Sequence, residues 1–399
     1  MTSAKDDLLT IYRAGLDAVV GEKVVSRELK KNNYPELFHV VSIGKASDAM
    51  LEGVPKDRVL SALLISKHDH ISEKSKLTSK IQCIESDHPV PKKPSINAGF
   101  SLLEFLKKLP KTEPCLFLIS GGASALVEVL EDDWSLEELS ELTDYLLANA
   151  YPIDEINAVR KRISKIKGGG LWSYIGDREV RCLIISDVPN DDPADIGSGL
   201  LFKSNLLTLP ELPPKWADKI KPMQEVIIPD TFKWKILGSL EIAKNASATK
   251  AEDLGYKVIV VTEFLEGSAE QVAHNCVNTI MNQRKTLFIW GGETTVLLPK
   301  NPGKGGRNQH LALASAILMS GEQGMTLLSA GTDGTDGLTD ATGAIVDDQT
   351  ISKGKSLGLD ASDYLQRADS NQYFQQTEEL VVTGATGTNV MDLVIGVSD

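Results

Sequence analysis

Short apolar runs recur along this chain, and their pattern constrains the fold more than any other feature of the sequence. They are continuous rather than alternating, which is typical of strands covered on both faces, as in parallel sheets. Segments with helical periodicity lie between them, and this alternation predicts α/β layers. The runs are HVVSIG (39–44), VLSALLIS (59–66), CLFLISGG (115–122), RCLIISDV (181–188), KVIVVT (257–262), TLFIWGGE (286–293), MTLLSAGTDG (325–334) and ELVVTG (379–384).

Two of the intervening segments carry helical signals. Ser135 and Glu138 have the spacing of a capping box, which predicts a helix over 135–149. Residues 268–284 place apolar side chains at helical spacing on one face. The segment 203–236 contains five prolines and is typical of an irregular connection. We therefore predict one α/β domain over residues 1–232 and a smaller mixed α/β domain over residues 233–399.

The charge of the chain narrows the classes of partner. With 42 Lys and Arg against 55 Asp and Glu, the formal net charge is −13. Such an acidic surface repels nucleic acid and anionic lipid, so we expect neither as a partner. The four cysteines are isolated and lack the C-x-x-C spacing of a metal site, which favours a reduced, cytoplasmic protein. We expect no signal peptide from the first ten residues, and no run approaches the roughly 18 apolar residues of a membrane span.

Polar and glycine-rich turns follow most of the apolar runs. In open α/β sheets, ligands bind at the carboxyl ends of the strands. Several such turns at corresponding positions predict a site between two sheets. The turns are Gly44-Lys45, Ser86-Asp87-His88-Pro89, Ser120-Gly121-Gly122-Ala123-Ser124, Ser186-Asp187-Val188, Gly291-Gly292-Glu293, Gly331-Thr332-Asp333-Gly334 and Gly384-Ala385-Thr386-Gly387-Thr388-Asn389.

Two glycine-rich segments are suited to anions. The turn 120–124 offers backbone N–H groups that a phosphate or carboxylate could approach, although a plain tight turn is an equal alternative. Gly303-Lys304-Gly305-Gly306-Arg307-Asn308 precedes a predicted helix over 308–319, and the alternative is a surface loop.

Several standard fingerprints are missing from the sequence. The chain has neither G-x-x-x-x-G-K-[ST] nor G-x-G-x-x-G, which argues against a Walker-type NTPase and an ordinary dinucleotide oxidoreductase. The glycine-rich turn 331–337 does not have the EF-hand spacing, which argues against a calcium loop.

A cationic stripe is predicted on a helix over 154–168. Its members share one face, opposite a face of isoleucine and valine side chains. In an acidic protein this stripe favours an anionic ligand, whereas a solvated surface face is the structural alternative. The stripe consists of Asn157, Arg160, Lys161, Ser164 and Lys167.

Carboxylates also stand at the predicted strand ends. Clustered acids near phosphate-binding turns hold Mg²⁺ or act as a base, and helix capping is the alternative for Asp187 and Asp333. His88, followed by Pro89, is expected to orient a turn. The strand-end acids are Asp87, Asp187, Glu293 and Asp333.

Taken in order along the chain, these motifs resemble the class II glycerate 2-kinases, a two-domain family whose C-terminal module is called MOFRL. The matching residues extend over nearly the whole sequence. They are Gly44-Lys45-Ala46, Ser86 to Pro91, Ser120-Gly121-Gly122 with Ser124-Ala125-Leu126, Glu155-x-Asn157-x-x-Arg160-Lys161, Lys167-Gly168-Gly169, Ser186-Asp187-Val188, Gly291 to Val296, Gly305 to Asn308, Ala330 to Gly334 and Thr386 to Val390.

The resemblance implies a Rossmann-like N-terminal domain with a parallel sheet, a MOFRL-type C-terminal domain, and an active site in the cleft between them. It implies ATP-dependent phosphorylation of D-glycerate to 2-phospho-D-glycerate, with Mg²⁺ as cofactor. A homodimer is left open.

The family pattern gives this chain a set of expected site residues. Lys45, Asp187 and Arg307 are expected to be catalytic, and metal ligands are expected among Asp187, Glu293 and Asp333. Substrate binding is expected from Ser86, His88, Asn157 and Arg160. Residues expected to bind the nucleotide are Gly121, Gly122, Ser124, Gly305, Gly306, Asn308, Gly331, Thr332, Gly387, Thr388 and Asn389.

Two other functions stay open at this point. A hydroxypyruvate reductase, a label sometimes attached to this family, would need a dinucleotide pocket, and the missing G-x-G-x-x-G argues against it. A non-catalytic sensor of a small phosphorylated acid would keep the anion-binding turns without needing the lysine and the acids.

Overall fold

The computed structural model describes residues 3–31, 34–203, 209–222 and 225–398. The chain forms two compact units, one of Gly21–Leu237 and one of Met1–Val20 with Gly238–Asp399. Each unit contains a six-stranded sheet. Parts of the predicted connection 203–236, residues 204–208 and 223–224, lie outside the described residues.

Helices and strands alternate along most of the described chain. The α-helices of the described residues are α1 (Ala4–Val19), α2 (Gly21–Lys31), α3 (Ser47–Glu52), α4 (Glu73–Lys76), α5 (Lys93–Lys108), α6 (Ala123–Leu126), α7 (Leu136–Ala148), α8 (Ile153–Arg162), α9 (Trp172–Ile175), α10 (Pro214–Ala217), α11 (Leu240–Asp253), α12 (Ala269–Asn282), α13 (Arg307–Met319), α14 (Thr350–Ser356), α15 (Ala361–Gln366) and α16 (Ser370–Thr377). Short 3₁₀ turns cover Lys56–Arg58, Pro189–Asp191 and Ile196–Ser198. The strands are β1 (Phe38–Ile43), β2 (Val59–Lys67), β3 (Ile81–Ser86), β4 (Cys115–Ile119), β5 (Val180–Ile185), β6 (Lys233–Gly238), β7 (Lys257–Ser268), β8 (Thr286–Thr295), β9 (Met325–Gly331), β10 (Gly343–Asp347), β11 (Leu380–Val381) and β12 (Asp392–Ser398).

The sheet of the Gly21–Leu237 unit has the order β3-β2-β1-β4-β5-β6. The pairs β1–β2, β2–β3, β1–β4 and β4–β5 are all parallel. The chain moves outward in one direction from β1 through β2 to β3, and then returns to the other side of β1 with β4. The switch point therefore lies between β1 and β4, where sheets of this kind bind ligands.

Burial explains why most of these strands could be predicted from the sequence. Every residue of β1 and of β4 is buried, so both strands are apolar on both faces. Val41, Phe117 and Cys182 share one continuous core with helix residues such as Leu102. β3 was missed because its burial is only partial, so its sequence IQCIES shows no continuous apolar run.

The sheet of the second unit has the order β11-β10-β9-β12-β8-β7 and is mixed, as predicted for the C-terminal domain. Only β7 and β8 pair in parallel among the pairs described for this sheet. β12 pairs antiparallel with both β8 and β9, so β8 and β9 run in the same direction, as inferred from the apolar runs at 286–293 and 325–334, and β12 between them runs the opposite way. β12 is itself buried throughout. A continuous apolar run reports burial on both faces, which an antiparallel central strand also experiences.

The unit boundaries differ from the predicted division after residue 232 in two places. β6 is the edge strand of the first sheet, although it begins at Lys233. α1 packs in the second unit, because a Cβ added at Gly15 would lie 2.3 Å from Ser247 Oγ of α11. The Ser247 hydroxyl donates to Ile11 O at 3.2 Å, and the Tyr12 hydroxyl donates to Gly331 O at 2.6 Å. The first helix thus belongs to the core of the C-terminal sheet.

Three predicted helices, α7, α12 and α13, are confirmed, and one is shorter than predicted. α7 begins at its predicted capping box, and the Ser135 side chain accepts from Glu138 N at 3.2 Å. α12 buries the predicted apolar face. α8 ends at Arg162 rather than continuing to 168. Among the described residues, no helix is both long enough and apolar enough to cross a bilayer.

Candidate active site

The turn after β1 is pinned to the turn after β4, at the switch point of the first sheet. Gly44 has φ +134°, and a Cβ there would lie 2.1 Å from Ser120 Oγ, so only glycine allows this approach. Lys45 N donates to Gly121 O at 2.9 Å. Ala46 N donates to Ser120 Oγ at 3.1 Å. These contacts fix the backbone that carries the Lys45 side chain.

Three predicted site residues meet at the second of these turns. Gly122 has φ +82°, and it is the residue before α6. A Cβ at this position would lie 3.0 Å from His88 Cδ2 and 3.3 Å from Lys45 Cγ. The structure therefore brings Lys45, His88 and Gly122 together. Lys45 is half-buried, so its ammonium group is placed on a rigid base with partial access to solvent.

Arg160 and Ser124 are also brought together. Arg160 of α8 donates from Nη2 to Ser124 O at 3.3 Å. The Ser124 hydroxyl lies 2.7 Å from the hydroxyl of Ser198, which was not among the predicted site residues. Burial lowers the pKa of Arg160, and the charge of Glu128 opposes that effect. Asn157, one turn earlier on α8, is half-buried.

The predicted cationic stripe is largely internal. The side chains of Lys161 and Lys167 are fully buried, so the alternative of a solvated surface face is wrong for both. Lys167 forms an ion pair with Glu128, whose side chain is 1% exposed. Ser164 Oγ donates to Glu128 Oε1 at 2.6 Å, and Lys161 pairs with Asp195 at 3.0 Å. Burial lowers the pKa of Lys167, and Glu128 partly restores it.

Ser86 and Asp187 occupy different environments at their strand ends. Ser86 is fully buried, and its hydroxyl donates to Leu126 O at 2.7 Å. Its role in the fold is therefore to join β3 to the end of α6. Asp187 follows β5 and is half-buried, so its carboxylate is partly accessible.

In the second unit, Arg307 is the first residue of α13 and is held by two carboxylates. Its Nε donates to Asp392 Oδ2 at 2.6 Å, and its Nη2 donates to Asp392 Oδ1 at 3.1 Å, which is a bidentate pair. Its Nη1 donates to Glu293. The Asp392 side chain is 7% exposed and that of Glu293 is 49% exposed. Burial lowers the pKa of Arg307, but the hydrogen bonds and charge of Asp392 raise it further than burial lowers it.

Asp336 closes the amino end of α13. Its carboxylate accepts Asn308 N at 3.1 Å and Gln309 N at 2.8 Å. Asn308 is buried, and its Oδ1 accepts from Ser329 Oγ at 2.8 Å. Burial raises the pKa of Asp336 to about 6, although the two backbone N–H groups favour its charged form. An acid that already fills this helix end occupies the place that a phosphate would need there.

The predicted glycines of this unit lie close to the same groups. A Cβ at Gly306 would lie 2.3 Å from Asp336 Cγ, so glycine is required for this packing. A Cβ at Gly331 would lie 3.3 Å from Asp392 Oδ1. A Cβ at Gly305 would lie 2.6 Å from Ser370 Oγ. Gly305 and Gly306 therefore shape the loop around Arg307, and Gly331 leaves room beside Asp392, the partner of Arg307.

The last predicted turn is tied to the turn after β9. Thr332 Oγ1 donates to Met391 O at 2.6 Å and accepts Val390 N at 2.8 Å. Thr386 Oγ1 donates to Thr332 O. Of the residues expected to bind nucleotide, Thr332, Thr388 and Asn389 are buried, whereas Gly387 is half-buried. Gly387 is thus the most accessible of the four.

The comparisons with known proteins cover both units. Residues 7–207 match the model of a domain of unknown function, DUF4147, and residues 286–392 match the MOFRL family. A D-glycerate 2-kinase of Thermotoga maritima is 33% identical over 99% of this chain and 98% of its own length. The chain belongs to the glycerate kinase family with a C-terminal MOFRL module.

Two further matches define how close the family relationship is. The crystal structure of a glycerate kinase from Thermotoga maritima matches with a TM-score of 0.87 at 31% identity and covers 99% of both chains. A relative in Agrobacterium vitis, 31% identical over 89% of this chain and 97% of its own, is named a hydroxypyruvate reductase with that activity marked as unproven. The two α/β domains predicted from the sequence are therefore the family fold.

The candidate metal ligands differ in the contacts that their carboxylates make within the protein. Glu293 is engaged by Arg307. Asp333 Oδ1 accepts Thr335 N at 3.1 Å, which is the turn-capping role considered above. Within the parts of the chain that the structure describes, no group of three or more His, Cys, Asp or Glu side chains could hold a metal ion. A dedicated protein cage for a metal is thus absent from those residues.

Sequence reasoning missed three buried acids of this chain, two of which pair with cations. Glu128 follows an apolar run, and Asp392 opens a strand that was not predicted. Asp336 lies in the glycine-rich turn 331–337, whose spacing was tested only against a calcium loop. An acid within or beside an apolar segment is the signal that could have revealed such residues. Its surroundings predict that it is buried, and a buried carboxylate requires a partner.

Proposed function

We propose that this chain is an ATP-dependent D-glycerate 2-kinase, which transfers a phosphoryl group to the 2-hydroxyl of D-glycerate. The observation that carries the proposal is the position of Lys45. It stands at the switch point of the parallel sheet, on a backbone fixed by Ser120 and Gly121, in a family whose characterised relative is named for this reaction. Phosphoryl transfer requires positioning and charge neutralisation rather than a covalent intermediate, and a rigidly placed lysine supplies both.

The first unit offers groups suited to a small hydroxy acid. Arg160 and Lys45 can neutralise the carboxylate of D-glycerate and the charge that develops on the transferring group. His88 lies beside Gly122 and can hydrogen-bond a substrate hydroxyl. Asn157 is half-buried on the same helix as Arg160 and can contact the substrate carboxylate. Ser86 supports this arrangement through its hydrogen bond to Leu126 O.

The nucleotide phosphates require donors that are rigid and close to the backbone. The N–H groups of Gly121, Gly122 and Ser124 belong to a turn that is held by its partners. In the second unit, the outer nitrogen of Arg307 and the loop of Gly305 and Gly306 can contact phosphate oxygens. The further residues that we propose to contact the nucleotide are Gly331, Gly387, Thr388 and Asn389. Asn308 and Thr332 would contribute by shaping the loops, because their side chains are buried and bonded within the protein.

The residues present fit Mg²⁺ as the metal. Mg²⁺ keeps several waters and uses one or two carboxylates together with substrate phosphates, so a three-ligand protein site is not needed. Asp187 and Asp333 are half-buried, so a hydrated metal ion and substrate phosphates can reach their carboxylates, and Asp333 Oδ1 also accepts Thr335 N. When bound, Mg²⁺ neutralises the phosphate charge. Glu293 is the weakest of the three candidates because Arg307 occupies it.

Enolase provides a direct test of the product. Enolase acts on 2-phosphoglycerate, so formation of phosphoenolpyruvate from D-glycerate and ATP, without a mutase, identifies phosphorylation at the 2-hydroxyl. ADP release without this signal would place the phosphate elsewhere. Oxidation of NADH by hydroxypyruvate would instead favour the reductase, and neither turnover would favour the sensor.

The compartment and the assembly follow from the same reasoning. We propose a cytoplasmic protein, because all four cysteines are free thiols, as is usual for proteins of a reducing compartment. We propose no nucleic-acid and no membrane partner. A homodimer stays a prediction that light scattering tests.

A further inference from the structure

A cavity of about 300 Å³ lies in the Gly21–Leu237 unit, away from the turns described above. Val59 and Ile81, the first residues of β2 and β3, line it. Because these strands are parallel, the cavity is at the amino-terminal edge of the sheet, opposite the edge that carries Lys45. Leu51 and Val54 complete an apolar floor. The volume is at the lower end of the range for small-molecule sites, about 300–1,000 Å³.

The rim of this cavity is positively charged in a chain whose net charge is −13. Lys56, Lys74 and Lys80 line it, against Glu52 as the acidic lining residue among the described parts of the chain. Lys74 pairs with Glu52 at 2.9 Å and also experiences the charge of Glu22. Lys80 Nζ donates to Val59 O at 2.7 Å, which places its charge at the mouth. Within the described residues, Lys56 and Lys80 form no ion pair, so their charges are available to an anion.

The cavity is connected to the Lys45 turn by one short helix. Leu51 and Glu52, which line the cavity, are the last residues of α3. The same helix begins directly after Ala46, and Met50 N donates to Ala46 O at 2.9 Å. A shift of the last turn of α3 is therefore transmitted to the turn that carries Lys45.

A second connection joins α3 to the other wall. Asp48 of α3 accepts Ser75 Oγ at 2.6 Å and Ser72 N at 2.9 Å. Ser75 and Lys74 of α4 line the cavity. A ligand that contacts both walls would thus tighten the two helices around Asp48.

We propose that this cavity binds a small carboxylate with an apolar chain, and that its occupancy is coupled to the Lys45 turn through α3. The apolar floor takes the chain, and the Lys56 and Lys80 ammonium groups take the carboxylate. This proposal has a binding half, which is that the cavity takes the carboxylate, and a coupling half, which is that occupancy affects the Lys45 turn. The binding half is independent of the proposed kinase activity. The significance of the coupling rests on that activity, because Lys45 matters only if it acts on the phosphoryl group.

Hexanoate is the probe for the binding half, measured by isothermal titration calorimetry with saturating D-glycerate present to exclude carboxylate binding at the candidate active site. We expect Lys56→Glu to weaken hexanoate binding about tenfold, because one reversed charge at the rim is of order 1.4 kcal/mol. Lys107→Glu, the same change on the exposed end of α5, should leave binding unchanged. Lys80→Gln should weaken it as well.

Four results would overturn the proposal that hexanoate binds in this cavity. The site is elsewhere if Lys56→Glu and Lys80→Gln both bind hexanoate as the unaltered chain does, or if Lys107→Glu is equally impaired. The charge plays no part if hexan-1-ol binds as tightly as hexanoate. Absence of hexanoate heat at millimolar concentration would also refute it.

Amide hydrogen exchange tests the coupling without requiring turnover. Saturating hexanoate should slow exchange over residues 44–52, and Asp48→Ala should abolish this slowing at 44–46 while hexanoate still binds. Unchanged exchange at 44–46 in the unaltered chain with hexanoate bound would refute the coupling alone. Failure of the kinase assay would not affect the exchange measurement, and the Lys56→Glu and Lys80→Gln variants locate the hexanoate site whether or not D-glycerate binds, so the two proposals fail separately.

Discussion

Asp392→Asn should disable Arg307 without removing it. The Asp392 carboxylate accepts two guanidinium N–H groups, at 2.6 and 3.1 Å. An asparagine keeps the size and one acceptor oxygen, but it turns an NH₂ group towards a second donor and removes the negative charge. The bidentate geometry is lost, and Glu293, which is half exposed, remains as the charged partner of the guanidinium.

The expected magnitudes separate stability from activity. Breaking a fully buried ion pair costs about 3–5 kcal/mol. Since Arg307 is 35% exposed, solvent compensates part of the loss, and we expect about 1–3 kcal/mol. In a domain of the size of the unit that holds this pair, about 1 kcal/mol lowers Tm by roughly 2–4 °C. The loss of a preorganised transition-state donor should lower kcat by about 10²-fold.

The assay measures kcat, KM for ATP and Tm for Asp392→Asn beside a matched control, Asp363→Asn. The control removes one carboxylate charge from Arg367, an arginine of the same unit that also pairs with two acids but lies outside the proposed site, so kcat should change little. Arg307→Lys should lower kcat as Asp392→Asn does, because an ammonium group cannot make the bidentate contacts. The double variant should be no slower than the slower single variant.

A folded Asp392→Asn protein with native kcat would refute the reasoning, since the held orientation of Arg307 would then be irrelevant to the reaction. A Tm loss with an unchanged kcat would assign the pair to stability alone. Additive losses in the double variant would show that the two residues act separately.

The other predictions concern a lysine, a metal ligand and a titration. Lys45→Ala should lower kcat by about 10²-fold with little change in Tm, and near-native kcat would remove Lys45 from the proposed site. Asp187→Asn should retain Tm and raise the Mg²⁺ concentration needed for half-maximal rate, whereas full activity at low Mg²⁺ would leave Asp187 a turn-capping residue. Burial raises the pKa of Asp336 from its ordinary value of 3.8 to about 6 in the folded state. The folded state therefore binds the proton more tightly than the unfolded state does. The stability that the protonated Asp336 contributes is fully present below pH 3.8 and is lost as the pH rises through 6. Asp336→Asn should therefore reduce the fall in Tm between pH 4 and 7, and an unchanged pH profile would contradict the shifted pKa.

The sequence made the central strands and the strand-end turns predictable because both follow from local chemistry. β1 and β4 are buried on both faces, so their composition reveals them. Gly44 and Gly122 have positive φ, so their identities mark sharp turns. Once Lys45 was placed after such a strand, the sheet rule alone located it at the ligand edge.

Two features were harder to predict from the sequence: the direction of each strand, and the unit to which each helix belongs. β12 is as apolar as a parallel strand, yet it lies antiparallel between β8 and β9. α1 precedes the first unit in the chain but packs on α11 of the second. Neither fact is local, because each depends on which distant segment covers an apolar face.

The sequence also did not show which charged side chains pair with one another. These pairs change the interpretation of the cationic residues. Lys161 and Lys167 resemble a solvated face in the sequence, but both are buried against acids. A fully buried lysine with a contact carboxylate has no spare charge for a ligand, whereas Lys45 is half-buried and Arg307 keeps a third of its side chain exposed. The internal pair Lys167–Glu128 therefore fixes the segment after α8, and through that helix it places Arg160 against Ser124. We therefore propose that the partly exposed cations carry the charge that meets substrate, and that the buried pairs help to determine where those cations stand.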